Sequence, residues 1–185
     1  MSPRSRATLL IVIQCLQVSS IAAKYVYERV TRPRVWVKVA QYDPDLPMRG
    51  RYLALAPQVN ACSLPRDDES SSPYPYTNDK NQQVTNRTWR VRTVVRDGRL
   101  VVEDAHNLLP HGETQTIWLR SDQACEHASL SPSVDFFIPD TAKSPFPLKN
   151  GAELWAEVTV PPVGPPRPIQ LAISEQGQWK PLRFE

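Results

Sequence analysis

Residues 7–26 read ATLLIVIQCLQVSSIAAKYV, an apolar run whose only charge is Lys24. As a helix of about 20 residues it would rise about 30 Å, enough to cross the hydrocarbon core of a bilayer. Beyond residue 30 no stretch repeats apolar positions at helical spacing for three turns; the pattern alternates instead. Val35, Val37 and Val39 interleave with Trp36, Lys38 and Ala40, and Leu53 and Leu55 with Tyr52 and Ala54. Trp89, Val91 and Val95 share a parity opposed to Arg90 and Arg92. Period-two alternation predicts half-buried strands. Asp97-Gly98 parts residues 88–96 from 99–103, and Asp-Gly between two β-rich runs predicts a hairpin, because its turn needs positive φ. Further runs at 114–119, 134–138, 153–160, 169–173 and 179–184 bring the count to about nine short strands. The expected fold is all-β, a small antiparallel sandwich or barrel preceded by one N-terminal transmembrane helix.

Two segments interrupt the alternation. Residues 63–87 are polar, proline-bearing and nearly free of aliphatics, which predicts a long mobile loop. Residues 161–168, PPVGPPRP, fall between two strands and read as a stiff hairpin connection rather than a polyproline ligand. The expected organisation is an N-terminal membrane anchor over 1–30 and an exported β-domain over 31–185.

Composition sharpens the picture in one respect. The chain of 185 residues holds 19 prolines against 6 glycines, roughly twice the average proline share, and prolines belong in loops, turns and strand edges. A net charge of +3 is too small for a nucleic-acid field, so no nucleic-acid partner is expected.

Location is contested. Ser20-Ile21-Ala22 and Ile21-Ala22-Ala23 loosely resemble signal-peptidase sites, whereas Tyr25 and Tyr27 at interfacial depth, with Lys24 beside them, favour an uncleaved anchor. Lys24, Arg29, Arg32 and Arg34 outnumber Arg4 and Arg6, which by the positive-inside rule would keep the domain cytoplasmic. Cysteine usage points outward: with Cys15 in the span, Cys62 and Cys125 remain, an even pair suited to one disulfide in an exported domain. Two unrelated buried thiols remain the alternative. Gln14, Gln17, Ser20 and Lys24 lie three or four apart and form one polar stripe on the helix, a face suited to another membrane helix, the alternative being a pair of glutamines tolerated in a marginal span.

Candidate chemistry is thin. His106 and His111 with Cys125, Glu126 and His127 match no zinc spacing, and Pro110 breaks any helix that would align the first two. Glu153 and Glu157 share a strand face with Trp155 while Leu154, Ala156, Val158 and Val160 face the core. The glutamates fit a glycosidic carboxylate pair, but cross-strand pairing with Arg90, Arg92 or Arg99 is the simpler expectation. No Gly-x-Ser-x-Gly turn or phosphate loop occurs, so neither a nucleophile nor a cofactor is expected.

Residues 42–55, YDPDLPMRGRYLAL, resemble the signature of the GDYXXLXY family of bacterial membrane-anchored proteins through Asp43, Pro44, Arg49, Gly50, Tyr52 and Leu55. Residues 136–140, FFIPD, look like that family's aromatic-Val-Pro-Glu segment, and 153–160 like its closing strand. Arg51 stands where the family has an acidic residue and Pro57 where it has a final Tyr, so the motif reads as a turn leading into a strand. The resemblance implies a domain of no established activity that sits beside, or is fused to, multi-span membrane proteins. The expected function is that of a non-enzymatic accessory or binding subunit of an envelope membrane protein. Its expected place is the bacterial inner membrane, single-pass, with the C-terminal domain in the periplasm and a multi-span partner met through the N-terminal helix. The alternative is an envelope hydrolase acting on peptide or cell wall through carboxylates near the Asp43 to Tyr52 turn.

Overall fold

Helix α1 (Pro3–Thr31) opens on a proline, the residue best suited to a first helical position, and ends just before Pro33. Residues Arg4–Thr31 form a helix long and apolar enough to cross a membrane. Within α1 the hydroxyls of Thr8, Ser20 and Thr31 donate to the carbonyls of Arg4, Gln17 and Tyr27, which satisfies them without outside partners. Leu10, Leu16 and Val18 are 61, 64 and 68% exposed; side chains of this kind are at home in lipid or against another helix.

The computed structural model describes residues 3–43, 52–65, 71–77, 81–105, 114–120, 123–139, 141–142 and 145–184. It divides into two units, Met1–Arg32 and Pro33–Glu185. Among the described residues the second holds eleven antiparallel strands: β1 (Arg34–Asp43), β2 (Tyr52–Val59), β3 (Ser71–Thr77), β4 (Gln83–Arg96), β5 (Arg99–Asp104), β6 (Gln115–Arg120), β7 (Ala128–Ser131), β8 (Val134–Phe137), β9 (Ala152–Thr159), β10 (Arg167–Glu175) and β11 (Gln178–Pro181). They join in the order β11-β10-β9-β1-β2-β7-β6-β4-β3, with β5 also on β4 and β8 also on β2. The all-β architecture after one apolar helix is thus the one the alternation implied.

Strand β2 belongs to both halves of this array. Residues 52–57 pair with β1 and β8, while Gln58 and Val59 pair with β7. Val37, Leu154 and Leu171 from one half share a single core with Trp89, Val91, Ile117 and Leu130 from the other. The alternation had implied a half-buried β2, but Leu53 to Pro57 are all buried. Ala54 and Ala56, whose small side chains occupy the opposite parity, are 5 and 4% exposed, so this central strand is covered on both faces.

Two hairpin turns are glycine-dependent. Asp97 and Gly98 have φ of 50° and 70°, and Gln176 and Gly177 have 52° and 79°; successive positive φ values match the twist of the flanking strands. The PPVGPPRP segment joins the adjacent antiparallel strands β9 and β10, where Pro166 is fully buried.

The nine expected strands are present, and two more were missed. Much of the segment read as a loop over 63–87 is strand: β3 pairs along its whole length with residues 83–89 of β4. Polarity misled here, because β3 is an outer strand whose residues 72–77 are all exposed and need no aliphatic side chains. Pro73 and Pro75, two apart, fall on one side of its hydrogen-bonding pattern, and in a strand still paired to β4 that side is the outer edge. The second, β7, is the four-residue Ala-Ser-Leu-Ser, too short and too poor in β-branched residues to announce itself.

Candidate functional site

The register of β2 with β7 sets Val59 opposite Ala128. Three steps further along that register Cys62 meets Cys125, and the two are joined by a disulfide with Cα atoms 5.0 Å apart. The Ala61 amide donates to the Cys125 carbonyl at 2.9 Å, and the Cys62 amide to Asn60 Oδ1 at 2.9 Å, which fixes both backbones at the bridge. The 3-10 turn Cys125–His127 therefore leaves the disulfide with Glu126 and His127 displayed beside the end of β2.

That turn forms one wall of a cleft. On β1 the residues opposite in parity to the core, Trp36 and Lys38, face across to Glu157 and Trp155 of β9. A cavity of about 340 Å³ is lined there by Trp36, Lys38, Gln58, Arg99, Glu126, His127, Glu153 and Trp155. Trp179 of β11 packs against both neighbouring indoles, with ring centroids 5.3 Å from Trp36 and 5.0 Å from Trp155. It is 48% exposed and adjoins the cavity without lining it, while Trp36 and Trp155 are half-buried, so the three rings form an angled aromatic cluster beside the cleft.

The polar groups of the cleft are organised around Glu153. Lys38 Nζ donates to its Oε1 at 2.7 Å, and Trp155 Nε1 to its Oε2 at 3.2 Å. The hydrogen bond from Lys38 leads in holding the Glu153 carboxyl below its ordinary value; partial desolvation opposes it, and the charges of Lys38 and His127 and the Trp155 bond assist. Glu153 is therefore a fixed carboxylate acceptor that also orients an indole. Glu157 accepts from Gln170 Nε2 at 3.0 Å.

Leu154, Ala156, Val158 and Val160 are buried as expected, and the two glutamates lie on the Trp155 face. For Glu153 and Arg92 the expected pairing is corrected: Glu153 pairs with Lys38, and Arg92 with Glu103, which Arg96 shares. A β4–β5 hairpin draws Arg92 to its own neighbouring strand, whereas the β1–β9 register brings Lys38 within reach of Glu153. Lys38, Trp36, Gln58 and Trp179 were not singled out by the sequence. The parity of Trp36 and Lys38 was visible there; the strand neighbours that turn them into a cleft were not.

Of the signature residues, Tyr52 and Leu55 lie on β2, with Tyr52 against Phe137 at a centroid distance of 6.4 Å and Leu55 in the core. Asp43 ends β1 and its side chain is not described; Pro44, Arg49 and Gly50 lie outside the described residues. His106 and His111 also lie outside them. Cys125 is committed to the disulfide, which removes it from any metal set. Gln14 and Gln17 are exposed on α1, and the Ser20 hydroxyl is spent on the Gln17 carbonyl.

A larger cavity of about 500 Å³ lies between residues 145–149 and the β10–β11 hairpin. Among the described residues its lining has no aromatic ring, whereas aromatic walls with a few converging polar groups mark ligand sites. The Trp36–Trp155 cleft is the better candidate. No family model, curated protein or solved structure matches the chain.

Proposed function

We propose that the chain is a membrane-anchored binding subunit of the bacterial envelope, held in the inner membrane by α1 with its β-domain in the periplasm, and associated through α1 with a multi-span membrane protein. The observation that carries the binding role is the solvent-facing aromatic cleft, with its polar groups already oriented by the Lys38–Glu153 pair. Placement in the envelope is supported by the apolar helix together with the Cys62–Cys125 disulfide, since such bridges persist in oxidising compartments. The association rests on the amides of Gln14 and Gln17, which gain from an interhelical partner in hydrocarbon. The resemblance to the GDYXXLXY family points the same way.

The alternative, an envelope hydrolase acting through carboxylates near the Asp43 to Tyr52 turn, falls on residues that lie largely outside the described ones. In the cleft itself Glu153 is held ionised by Lys38, whereas a general acid needs a raised value.

The test is co-purification from solubilised native membranes. A tagged wild-type chain should migrate with a larger membrane protein, and the Gln14→Leu, Gln17→Leu variant should lose most of it. A purely monomeric wild type, or unchanged co-purification of the double variant, overturns the association.

A further inference from the structure

The cleft has a chemistry more specific than binding in general. Its two lining indoles and the adjoining Trp179 offer π faces, which carry partial negative charge and attract groups with polarised C–H bonds. Around them stand Lys38, Arg99, His127, Gln58, Glu126 and Glu153, so that groups of both signs and an amide share the cleft. The Lys38–Glu153 pair leaves both partners with capacity to spare: an ammonium has three donors and a carboxylate about four acceptor positions. A suitable ligand is therefore uncharged, has a flat C–H face, and carries around its rim groups that both donate and accept hydrogen bonds.

We propose that the Trp36–Trp155 cleft binds a neutral pyranose saccharide, one ring face stacked on the indoles and its hydroxyls bridging Lys38, Glu153 and Gln58. A quaternary ammonium ligand, the other usual occupant of aromatic sites, is opposed by the Lys38 ammonium within the same cleft. A protein partner is opposed by composition, since the centre of a protein interface is depleted of charge and this cleft is lined by the Lys38–Glu153 ion pair and further charged side chains. The volume of about 340 Å³ lies at the small end of ligand pockets, about 300–1,000 Å³, and suits a short saccharide better than a protein surface. The inference rests on the reading of the β-domain as a binding module.

The experiment uses the full chain in a detergent without a sugar headgroup. It is titrated with N-acetylglucosamine, cello- and malto-oligosaccharides and followed by calorimetry and tryptophan fluorescence. At least one series should give saturable binding, weakened about tenfold or more by Trp155→Ala. Trp118→Ala, on β6 and outside this cleft, should leave it unchanged. Should Trp155→Ala fail to fold, the exposed Trp179→Ala serves the same purpose and is expected to weaken binding several-fold. Absence of saturable binding to every series, or equal binding by wild type and the cleft variants, overturns the proposal. So does loss of binding in Trp118→Ala. A phosphocholine ligand that binds in place of the saccharides overturns it in favour of the ammonium chemistry. The Gln14→Leu, Gln17→Leu chain should retain saccharide binding, so failure of the membrane association and failure of this inference are read separately.

Discussion

Glu153 shows how a single side chain is set by its neighbours. Its carboxyl is lowered in the folded state by the Lys38 hydrogen bond, so the pair contributes stability above the unfolded carboxylate value of about 4.3 and loses it as pH falls through the lowered folded value. Wild type should therefore exceed Glu153→Gln in urea resistance at neutral pH, with the gap closing below about pH 4. Both side chains are more than a third exposed, so the gap should be small, under about 1 kcal/mol. A gap that widens in acid would contradict the assigned role. At this scale the sequence was informative about orientation: the parity of residues 153–158 sorted core from surface correctly, although Thr159, of the surface parity, is buried. It could not supply Lys38, because partnership across strands depends on register, and register between residues more than a hundred positions apart leaves no local trace.

Among elements, turn chemistry was the most legible and edge strands the least. Asp97-Gly98 makes the β4–β5 hairpin because its backbone needs φ of 50° and 70° in succession. Replacing Gly98 with Val forces a branched side chain into that region and should cost about 1 to 2 kcal/mol by chemical denaturation, although its Cβ would meet nothing within 4 Å. Polarity hid β3, since an outer strand with two exposed tyrosines and two prolines looks like a loop until its partner is known. The disulfide links β2 to the turn before β7 and spans 63 positions, which on the chain-entropy model is worth about 4 kcal/mol. The Cys62→Ser, Cys125→Ser chain should lose about 2 to 5 kcal/mol in urea midpoint analysis, and reductant should bring wild type to the same value.

For the β-domain as a whole, β2 decides how stability is shared. It lies in both halves of the array and Leu55 on it is fully buried. Leu55→Ala should cost about 2 to 5 kcal/mol, and far-UV circular dichroism and tryptophan fluorescence should still report one coincident transition. Two separated transitions would show that the halves fold independently. Fold class was readable from alternation and turn signals alone, but the candidate cleft was not. Its residues come from β1, β2, β9, the β4–β5 hairpin and the turn after Cys125, and only the assembled topology makes them neighbours.

The pairing of β1 with β9 also governs when the β-domain can form during biogenesis. Strand β1 follows the helix directly, yet its partner begins at Ala152. A chain emerging from its N-terminus must expose Val35, Val37 and Val39 for the whole time that more than a hundred further residues take to appear, several seconds at about 5–20 residues per second. Until β9 is through, β1 has a bare flank, and three of its valines lack the neighbours that bury them in the folded domain.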